Sequence, residues 1–270
     1  MKKTIQKVFS LVLAVTLVCS LAVGVNAKGF SFTGLQDWFR EEALPQIQEN
    51  LEELSHRFEP HWPTLPDIPP LENCPSKHFT DVDTARWYHP GVDFCVKRGL
   101  MIGTSATTFE PYANVTRAQL VTMLWRQAGS PAPAGVSPFY DVGQQVYYSK
   151  AVAWAYENDI VTGVSEKEFQ PNAVLSRQDM AVILYRYTEH YLGIEPFLGI
   201  AVDLEWLFPD GGAVSAYAVD AVRWTVARTL ILGENNSAYQ VMLNPKGLAT
   251  RAQIANVFCR YCVTVLGWLK

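Results

Sequence analysis

Three arginines are the residues of this chain whose type and spacing most readily point to chemistry. They occur in three equivalent motifs, Thr116-Arg117-Ala118-Gln119, Ser176-Arg177-Gln178-Asp179 and Thr250-Arg251-Ala252-Gln253. In each motif the Ser or Thr is a helix N-cap, and the Gln or Asp three residues later can bond back to the cap amide. The Arg therefore stands at the first helical position, where the partial positive charge of the helix end opposes it by about 0.3–1 kcal/mol.

Two arrangements would compensate for this misplaced charge. The arginines could form ion pairs within the fold, with the aspartates Asp81, Asp141 and Asp210. Alternatively, they could face a groove in which the guanidinium and the helix-end amides hold an anionic carboxylate ligand. The residue types leave both arrangements open, and both can hold at once. Thr116 and Ser176 are explained by capping, which is worth about 1 kcal/mol for each residue.

The arginine motifs belong to a unit of about sixty residues that occurs three times from about residue 77 onward. The three copies begin with Phe79-Thr80-Asp81-Val82, Phe139-Tyr140-Asp141-Val142 and Phe208-Pro209-Asp210-Gly211. An apolar helical face follows in each copy and leads to a glycine that is interpreted as the helix stop, at Gly103, Gly163 and Gly233. These glycines would also let a ligand approach the backbone. Trp87 and Tyr147 lie sixteen residues before their glycines, and are either core residues or platforms for stacking on sugars.

A loop and a second helix complete each unit. The loops contain Phe109-x-Pro111, Phe169-x-Pro171 and Leu243-x-Pro245, and the arginine follows each Pro by six residues. The distance from Gly to Arg is 14 residues in the first two units and 18 in the third, which predicts an insertion near residues 234–242, beside Arg251. One helix–loop–helix unit could bury little of its apolar face, so we expect the three units to assemble around a shared core.

The chain that precedes the repeats has three parts. Residues 1–27 combine three Lys, an apolar run and a small-residue site at Val25-Asn26-Ala27, which predicts a secretory signal peptide. The alternative is an uncleaved membrane anchor, because an apolar run of about 18 residues is long enough to span a bilayer. Residues 28–76 are predicted to contain an amphipathic helix and a stiff Pro-rich spacer over residues 60–75. The helix has apolar residues at a 3-4-3-4 spacing, at Leu44, Ile47, Leu51, Leu54 and Phe58. It could dock on the following domain, or dimerise or recruit a protein partner through residues 35–58.

Charge and motif content exclude several classes of function. Removal of residues 1–27 would leave 19 basic and 26 acidic residues, a formal charge of −7, which argues against nucleic acid or an anionic membrane as partner. The sequence contains no G-x-S-x-G, no H-E-x-x-H and no phosphate-binding Gly loop, so no enzyme activity and no cofactor is predicted. The spacing of Cys74, His78, His89 and Cys95 fits no zinc pattern, so no metal is predicted either. The four cysteines after residue 27 allow three disulfide pairings, and the sequence does not choose among them.

The repeated motifs resemble the S-layer homology (SLH) domain in its usual array of three. The shared features are F-x-D-V, the aromatic pairs Trp87-Tyr88 and Tyr147-Tyr148, the Gly-terminated turn, F-x-P and T/S-R-x-x. The family's fourth motif residue is commonly Glu, whereas this chain has Gln119, Asp179 and Gln253. The third unit also lacks the aromatic pair, and has Tyr217-Ala218 instead.

The resemblance implies an all-α fold in which three helix–loop–helix repeats form a pseudo-threefold spindle. The implied repeats are residues 77–135, 136–200 and 201–270. It also implies a secreted, non-catalytic protein at the cell wall or S-layer surface, whose grooves between repeats bind peptidoglycan or a wall polysaccharide, often a pyruvylated secondary polymer. A pyruvyl ketal would supply the carboxylate. The alternative is a structural or adaptor protein that acts through residues 35–58.

The resemblance also implies a set of ligand-binding residues, among which Arg117 and Arg177 are expected to matter more than Arg251. The full set is Arg117, Arg177, Arg251, Asp81, Asp141, Trp87, Tyr147, Gly103, Gly163, Thr116 and Ser176.

Overall fold

The computed structural model describes residues 73–196, 202–235 and 241–268. The predicted signal peptide, the amphipathic helix and nearly all of the Pro-rich spacer lie outside the described residues. Within those ranges the chain is helical apart from one short two-stranded sheet, as the predicted all-α class requires. None of the helices there has both the length and the apolar character needed to cross a membrane.

Each repeat contributes two main helices. The described residues contain seven α-helices, α1 (His89–Lys97), α2 (Arg117–Gln127), α3 (Ser149–Glu157), α4 (Arg177–Arg186), α5 (Leu204–Leu207), α6 (Val219–Ala227) and α7 (Arg251–Thr264). A π-helical turn, Tyr187–Tyr191, continues α4, and two 3-10 turns, Gly211–Ala213 and Ala216–Ala218, precede α6. Strands β1 (Glu234–Asn235) and β2 (Val241–Met242) are antiparallel, with Glu234 opposite Met242, and they lie in the insertion of the third repeat.

The second helix of each repeat begins as its cap residues predict. Thr116 and Thr250 form complete capping boxes, in which Oγ1 accepts the amide of Gln119 or Gln253 and that side chain accepts the cap amide. Ser176 accepts the amide of Asp179 and donates its hydroxyl to the Asp179 carboxylate at 2.6 Å. Local sequence therefore fixes the start of α2, α4 and α7 at Arg117, Arg177 and Arg251.

The glycines interpreted as helix stops have a different role. The first helices end at Lys97, Glu157 and Ala227, six residues before Gly103, Gly163 and Gly233. The left-handed residue that follows each helix is Gly99, Asp159 or Thr229, with φ between 56° and 65°. Gly103 is required by packing instead, because a Cβ there would lie 2.4 Å from both the Phe79 ring and the Ser105 carbonyl. The interpretation of these glycines as helix stops was therefore wrong.

Backbone hydrogen bonds join the three repeats in a closed ring just before their second helices. The Val115 amide donates to the Ala249 carbonyl at 2.9 Å, the Ala249 amide to the Leu175 carbonyl at 2.9 Å, and the Leu175 amide to the Val115 carbonyl at 2.8 Å. All three residues are fully buried. The helices pair in the same cyclic order, α2 with α3, α4 with α6, and α7 with α1. The pseudo-threefold spindle stays a prediction, which this cyclic order supports.

One hydrophobic core serves all three repeats. The predicted inward positions of the second helices are buried: Leu120, Met123, Leu124, Met180, Ile183, Leu184, Ile254, Val257 and Phe258. Tyr187 and Tyr261 stack into the same cluster beside Trp154 and Trp224. Side chains from every repeat contribute to this core, as the expectation of a shared core requires.

Candidate functional site

Each of the three arginines reaches from its own repeat into the loop of another. Arg117 Nε donates to the Phe169 carbonyl at 2.9 Å, Arg177 Nε to the Leu243 carbonyl at 3.0 Å, and Arg251 Nε to the Phe109 carbonyl at 2.6 Å. Arg117 and Arg251 also lie over the rings of Phe169 and Phe109. Burial lowers the pKa of all three guanidinium groups. The arginines thus hold repeats together whether or not they bind a ligand.

The helix-end amides that the sequence analysis assigned to a carboxylate ligand are already used within the fold. The amides of Arg117 and Ala118 donate to the carbonyls of Ala173 and Pro171, at 3.0 and 3.1 Å. The equivalent amides of α4 and α7 donate to loop carbonyls of the next repeat in the same way. The expectation of a combined amide and guanidinium site was therefore wrong for these helix-end amides.

The three aspartates of the first motif bind loop amides in their own repeats. Asp81 accepts the amides of Phe109 and Glu110 at 2.8 and 2.7 Å. Asp141 and Asp210 accept the corresponding pairs of amides, Phe169 with Gln170 and Leu243 with Asn244. Among the described residues, none of these aspartates forms an ion pair with a motif arginine. Aspartate and arginine instead hold the two faces of one loop, the aspartate from the same repeat and the arginine from another.

Two grooves take their lining from all three repeats. The first groove encloses about 260 Å³ and the third groove about 470 Å³. Each is named after the repeat that supplies its Gly turn and second helix. The first groove is lined by Leu100, Met101, Ile102, Gly103, Thr104, Val115, Gln119, Thr122, Met123 and Arg126, with Tyr147 of the second repeat and Arg251 of the third. The third groove combines residues 230–235, Gln253, Asn256, Val257 and Arg260 with Trp87 of the first repeat and Arg177 of the second.

The third groove contains a carboxylate that neutralises its arginine. Arg177 Nη1 lies 2.9 Å from Glu234 Oε1, which also accepts Gln253 Nε2 at 2.9 Å. Glu234 is the first residue of β1, so the insertion of the third repeat lies beside Arg177. The sequence analysis placed that insertion beside Arg251. This was wrong because the arginine next to a loop comes from the preceding repeat in the ring.

Counterparts of the groove residues meet at the second helix of the second repeat, near Arg117. Tyr217 donates its hydroxyl to Asp179 Oδ1 at 2.6 Å and accepts Gln178 Nε2 at 2.9 Å. Burial and the Asp179 carboxylate together raise the pKa of Tyr217 to about 12. The charges of Asp179 and Tyr217 act on Arg117 and raise its pKa, against the larger lowering caused by burial. This arginine also has a carboxylate nearby.

The first groove differs from the third in the carboxylate content of its lining. Arg251 and Arg126 both line it, and no carboxylate is among the described residues of its lining. Arg251 Nη2 donates to the Ile102 carbonyl at 2.7 Å, and Arg126 Nη1 to the Leu100 carbonyl at 3.2 Å. The carboxylates of Glu110 and Asp81 act on Arg251 electrostatically, as Asp179 does on Arg117, but within the described residues neither forms an ion pair with Arg251. Glu110 accepts the Thr104 hydroxyl at 3.1 Å, and Asp81 accepts two loop amides. A guanidinium pair here could accept an anionic group without displacing an existing ion pair.

The aromatic pairs divide between surface and core. Trp87 and Tyr147 are 54% and 62% exposed, whereas their neighbours Tyr88 and Tyr148 are buried. Tyr217 is 63% exposed, although the third repeat has no second aromatic residue. Trp87 and Tyr147 each line a groove built mainly by the preceding repeat, and Tyr217 contacts the second helix of the preceding repeat at Gln178 and Asp179. Sequence reasoning left Trp87 and Tyr147 open between core and platform, and did not include Tyr217.

Groove residues that the sequence analysis did not select include Arg126, Gln119 and Glu234. Arg126 carried a signal, because Arg186 and Arg260 occupy the same place nine residues after the motif arginine. Its position late in a helix was a sufficient structural explanation. Glu234 carried no signal, since it lies in the insertion and has no counterpart in the other repeats.

Comparisons with known proteins agree with this architecture. The S-layer homology domain family matches residues 78–121 and 138–181. An endoglucanase from Bacillus sp. (strain KSM-635) is 34% identical over 182 residues, which is 66% of this chain and 18% of that protein. The surface-layer 125 kDa protein of Lysinibacillus sphaericus is 31% identical over 169 residues, 63% of this chain and 13% of that protein. An amylopullulanase from Thermoanaerobacterium thermosulfurigenes is 27% identical over 188 residues, 67% of this chain and 9% of that protein.

The chain spans only 9% to 18% of these relatives. The similarity therefore concerns their shared repeats and not the rest of those proteins. The third repeat lies outside the two family matches. It nevertheless has the Asp210 contacts and the Thr250 capping box of the other two. On these grounds the chain is a cell-surface, S-layer-associated protein that carries S-layer homology domains.

Proposed function

We propose that the three repeats anchor the protein non-covalently to an anionic cell-wall carbohydrate, and that they have no catalytic role. The observation that carries this proposal is the first groove, where Arg251 and Arg126 line a cavity of about 260 Å³ beside exposed Tyr147. Guanidinium groups bind carboxylates with charge-assisted hydrogen bonds. An adjacent exposed aromatic ring offers a face on which a sugar can stack. The ligand is a wall polymer with carboxylate groups, such as a pyruvylated secondary polymer.

The charges around the three arginines predict how much each arginine contributes to ligand binding. Arg251 is expected to matter most, then Arg117, and Arg177 least, because Glu234 already pairs with Arg177. This order replaces the one expected from the sequence, which ranked Arg177 above Arg251. Asp81, Asp141, Gly103, Gly163, Thr116 and Ser176 support the grooves by fixing their loops and helix ends.

The test is sedimentation of the purified protein with cell-wall sacculi, before and after acid removal of the secondary polymer. We expect binding to intact walls and its loss on stripped walls. Equal retention by stripped walls would assign the binding to peptidoglycan. Repurified protein should release no reducing sugar from walls. A hydrolytic activity that copurifies with the protein through repurification would contradict the non-catalytic assignment.

Substitutions locate the site within the protein. Arg251→Ala is expected to weaken binding by about 1.5–3 kcal/mol, or roughly 10- to 150-fold, as for loss of a hydrogen bond to a charged group, while the helical circular-dichroism spectrum stays intact. Tyr147→Ala should also weaken it, and this exposed ring can be removed with little effect on folding. Arg86→Ala, a surface change in a side chain that is 61% exposed, is the matched control. Unchanged binding by both Arg251→Ala and Tyr147→Ala would exclude the first groove.

The alternative adaptor function depends on residues 35–58, which lie outside the described residues, and it stays a prediction. Light scattering on residues 28–270, the chain without the predicted signal peptide, and on residues 77–270 would separate the two functions. Self-association that disappears with the truncation would favour the adaptor.

A further inference from the structure

A second cluster of reactive side chains lies at the start of the first repeat, in neither of the two lined grooves. Cys74 Sγ is 3.1 Å from His89 Nε2 and 3.6 Å from Asp93 Oδ1, and His89 Nε2 is 3.3 Å from Asp93 Oδ2. His89 and Asp93 are one turn apart on α1, and Cys74 comes from the segment that leads into the repeat. The cluster thus joins two parts of the chain that are separate in sequence.

We propose that Cys74, His89 and Asp93 form a binding site for a divalent transition metal ion, with Zn²⁺ as the best match. Thiolate, imidazole and carboxylate are the three ligand types that proteins use for zinc. Tetrahedral coordination at ordinary zinc–ligand bond lengths places neighbouring ligand atoms roughly 3.3–3.6 Å apart. Sγ of Cys74 and Nε2 of His89 are 3.1 Å apart, and each lies near one oxygen of Asp93, Sγ 3.6 Å from Oδ1 and Nε2 3.3 Å from Oδ2. With one ligand atom from each residue, the three atoms lie within 4.8 Å of one another, so a small rotation of the carboxylate would present one oxygen to an ion.

The surroundings of Asp93 support a metal. Asp93 is 4% exposed, and a buried carboxylate requires a compensating charge. The only ion-pair partner that the described residues provide is His89. Asp93 Oδ1 also accepts the Ser76 amide at 2.9 Å, which fixes the carboxylate as an outer-shell contact would. A second carboxylate oxygen, Oδ2, stays directed toward the imidazole.

The other repeats show that helix packing does not need these residues. The positions equivalent to His89 and Asp93, counted from the shared glycine, are Ser149 and Ala153 in the second repeat, and Val219 and Arg223 in the third. Ala153 is as buried as Asp93. Because alanine fills this position in the second repeat, packing alone does not require the carboxylate of Asp93 in the first. The cluster is thus a specific feature of the first repeat.

The sequence analysis considered Cys74, His78, His89 and Cys95 for a metal and predicted none. The fold separates that group. His78 Nδ1 lies 2.9 Å from the Pro75 carbonyl, and Cys95 is buried with its thiol directed at the Ala255 carbonyl. Asp93, which the sequence did not single out, takes their place. Water would complete the coordination, because Cys74 and His89 are only partly buried. The bound ion would fix the segment of Cys74 to the first turn of α1.

The test is titration of the reduced, metal-free full chain with Co²⁺, followed by displacement with Zn²⁺. We expect one equivalent of Co²⁺ to bind with a sulfur-to-cobalt charge-transfer band and intense visible bands of tetrahedral type, and Zn²⁺ to abolish both. Cys74→Ser should remove the charge-transfer band, and Asp93→Asn and His89→Gln should weaken binding at least tenfold. His78→Gln is the matched control and should bind as the original chain does. Absence of the band in the original chain, or its survival in Cys74→Ser, would overturn the proposal.

A second measurement does not depend on the folding of any variant. Cys74 is a partly exposed thiol, whereas Cys95, Cys259 and Cys262 are buried. Alkylation of the native chain, followed residue by residue with mass spectrometry, should therefore modify Cys74 before these three, and Zn²⁺ should slow the reaction of Cys74 at least tenfold. An unchanged alkylation rate at saturating Zn²⁺ would also overturn the proposal. Wall binding is measured separately, so failure of one proposal leaves the other intact.

Discussion

At the scale of single residues, each motif arginine combines a structural contact with a potential ligand contact. Its Nε bonds a loop carbonyl of another repeat in all three cases, while the remaining nitrogens differ. Those of Arg251 adjoin the first groove, and Nη1 of Arg177 is held by Glu234. The three arginines therefore make the same kind of contact between repeats but are expected to differ in ligand binding.

The ion pair in the third groove yields a gain-of-function prediction. Glu234→Gln should free Arg177 and increase binding to polymer-bearing walls severalfold, because an anion would no longer compete with a fixed carboxylate. The quantity to measure is the bound fraction against wall concentration. Glu166→Gln, which removes one exposed carboxylate outside the groove lining, controls for the change in net charge. Equal binding by both variants would show that the third groove holds no anionic ligand.

The aspartate that binds two loop amides predicts a stability effect. Asp141 accepts the amides of Phe169 and Gln170 at 2.9 and 2.6 Å. In Asp141→Asn the amide nitrogen would face one of these donors, so the free energy of unfolding should fall by about 1–3 kcal/mol. Urea unfolding monitored by circular dichroism measures this change.

The matched control is Asp220→Asn, whose carboxylate is 77% exposed, lies in the first turn of α6 and forms a long ion pair with Arg223 at 3.8 Å. Its effect should stay below about 1 kcal/mol, the contribution of an exposed carboxylate near a helix N-terminus. Equal effects of the two substitutions would contradict the structural role given to Asp141.

At the scale of elements, the turn after each first helix is fixed by close packing. Gly163 has φ +80°, and a Cβ there would lie 2.5 Å from the Ser165 carbonyl and 2.6 Å from that of Glu168. Gly129 has a similar φ of +86°, but no atom lies within 4 Å of its hypothetical Cβ. An added methyl group would therefore meet only backbone strain at Gly129, but both backbone strain and a steric clash at Gly163.

The comparison of Gly129 with Gly163 predicts two different losses of stability. Gly129→Ala should cost about 1–2 kcal/mol for the left-handed conformation alone. Gly163→Ala should cost a further 1–3 kcal/mol or so, because the turn must shift to accommodate the methyl group. Thermal unfolding of both variants tests this difference. Similar melting temperatures would show that packing around Gly163 is looser than the structure indicates.

At the scale of the whole molecule, the repeats depend on one another through the ring of Val115, Leu175 and Ala249. Each of these buried residues donates to the next, so removal of one repeat leaves a buried donor and a buried acceptor without partners. Helix α1 also packs on α7, which joins the first repeat to the last. The array is closed, in contrast to a linear solenoid whose end repeats have only one neighbour.

Closure predicts the effect of truncation. A chain that ends at residue 196 loses α5, α6 and α7, and so exposes the faces of α1 and α4 that those helices cover. We expect it to lose its cooperative thermal transition, even though it contains both family-matched repeats. Addition of a separate 202–270 fragment should restore part of the transition. A truncated chain that unfolds cooperatively near the melting temperature of the full chain would show that two repeats suffice.

Features that depend on neighbours within a few residues could be predicted from the sequence. The caps at Thr116, Ser176 and Thr250 and the buried positions of the second helices follow from short-range hydrogen bonding and helical periodicity. The family could also be identified from the sequence, because the same motifs occur three times in a fixed order. Even the position of the insertion in the chain was correct, since β1 and β2 lie within it.

Tertiary structure alone decided which arginine enters which groove and which charge meets it. Arg251 reaches the Phe109 loop across 142 positions of sequence, and Arg177 meets Glu234 only because the ring brings the third repeat's loop to the second repeat's helix. The same closure leaves Trp87 exposed while Tyr88 is buried, although the two are adjacent and both aromatic. Local propensities contain no information on such long-range neighbours. Each groove is assembled from three repeats, and its charge is set by the residues that those repeats bring together.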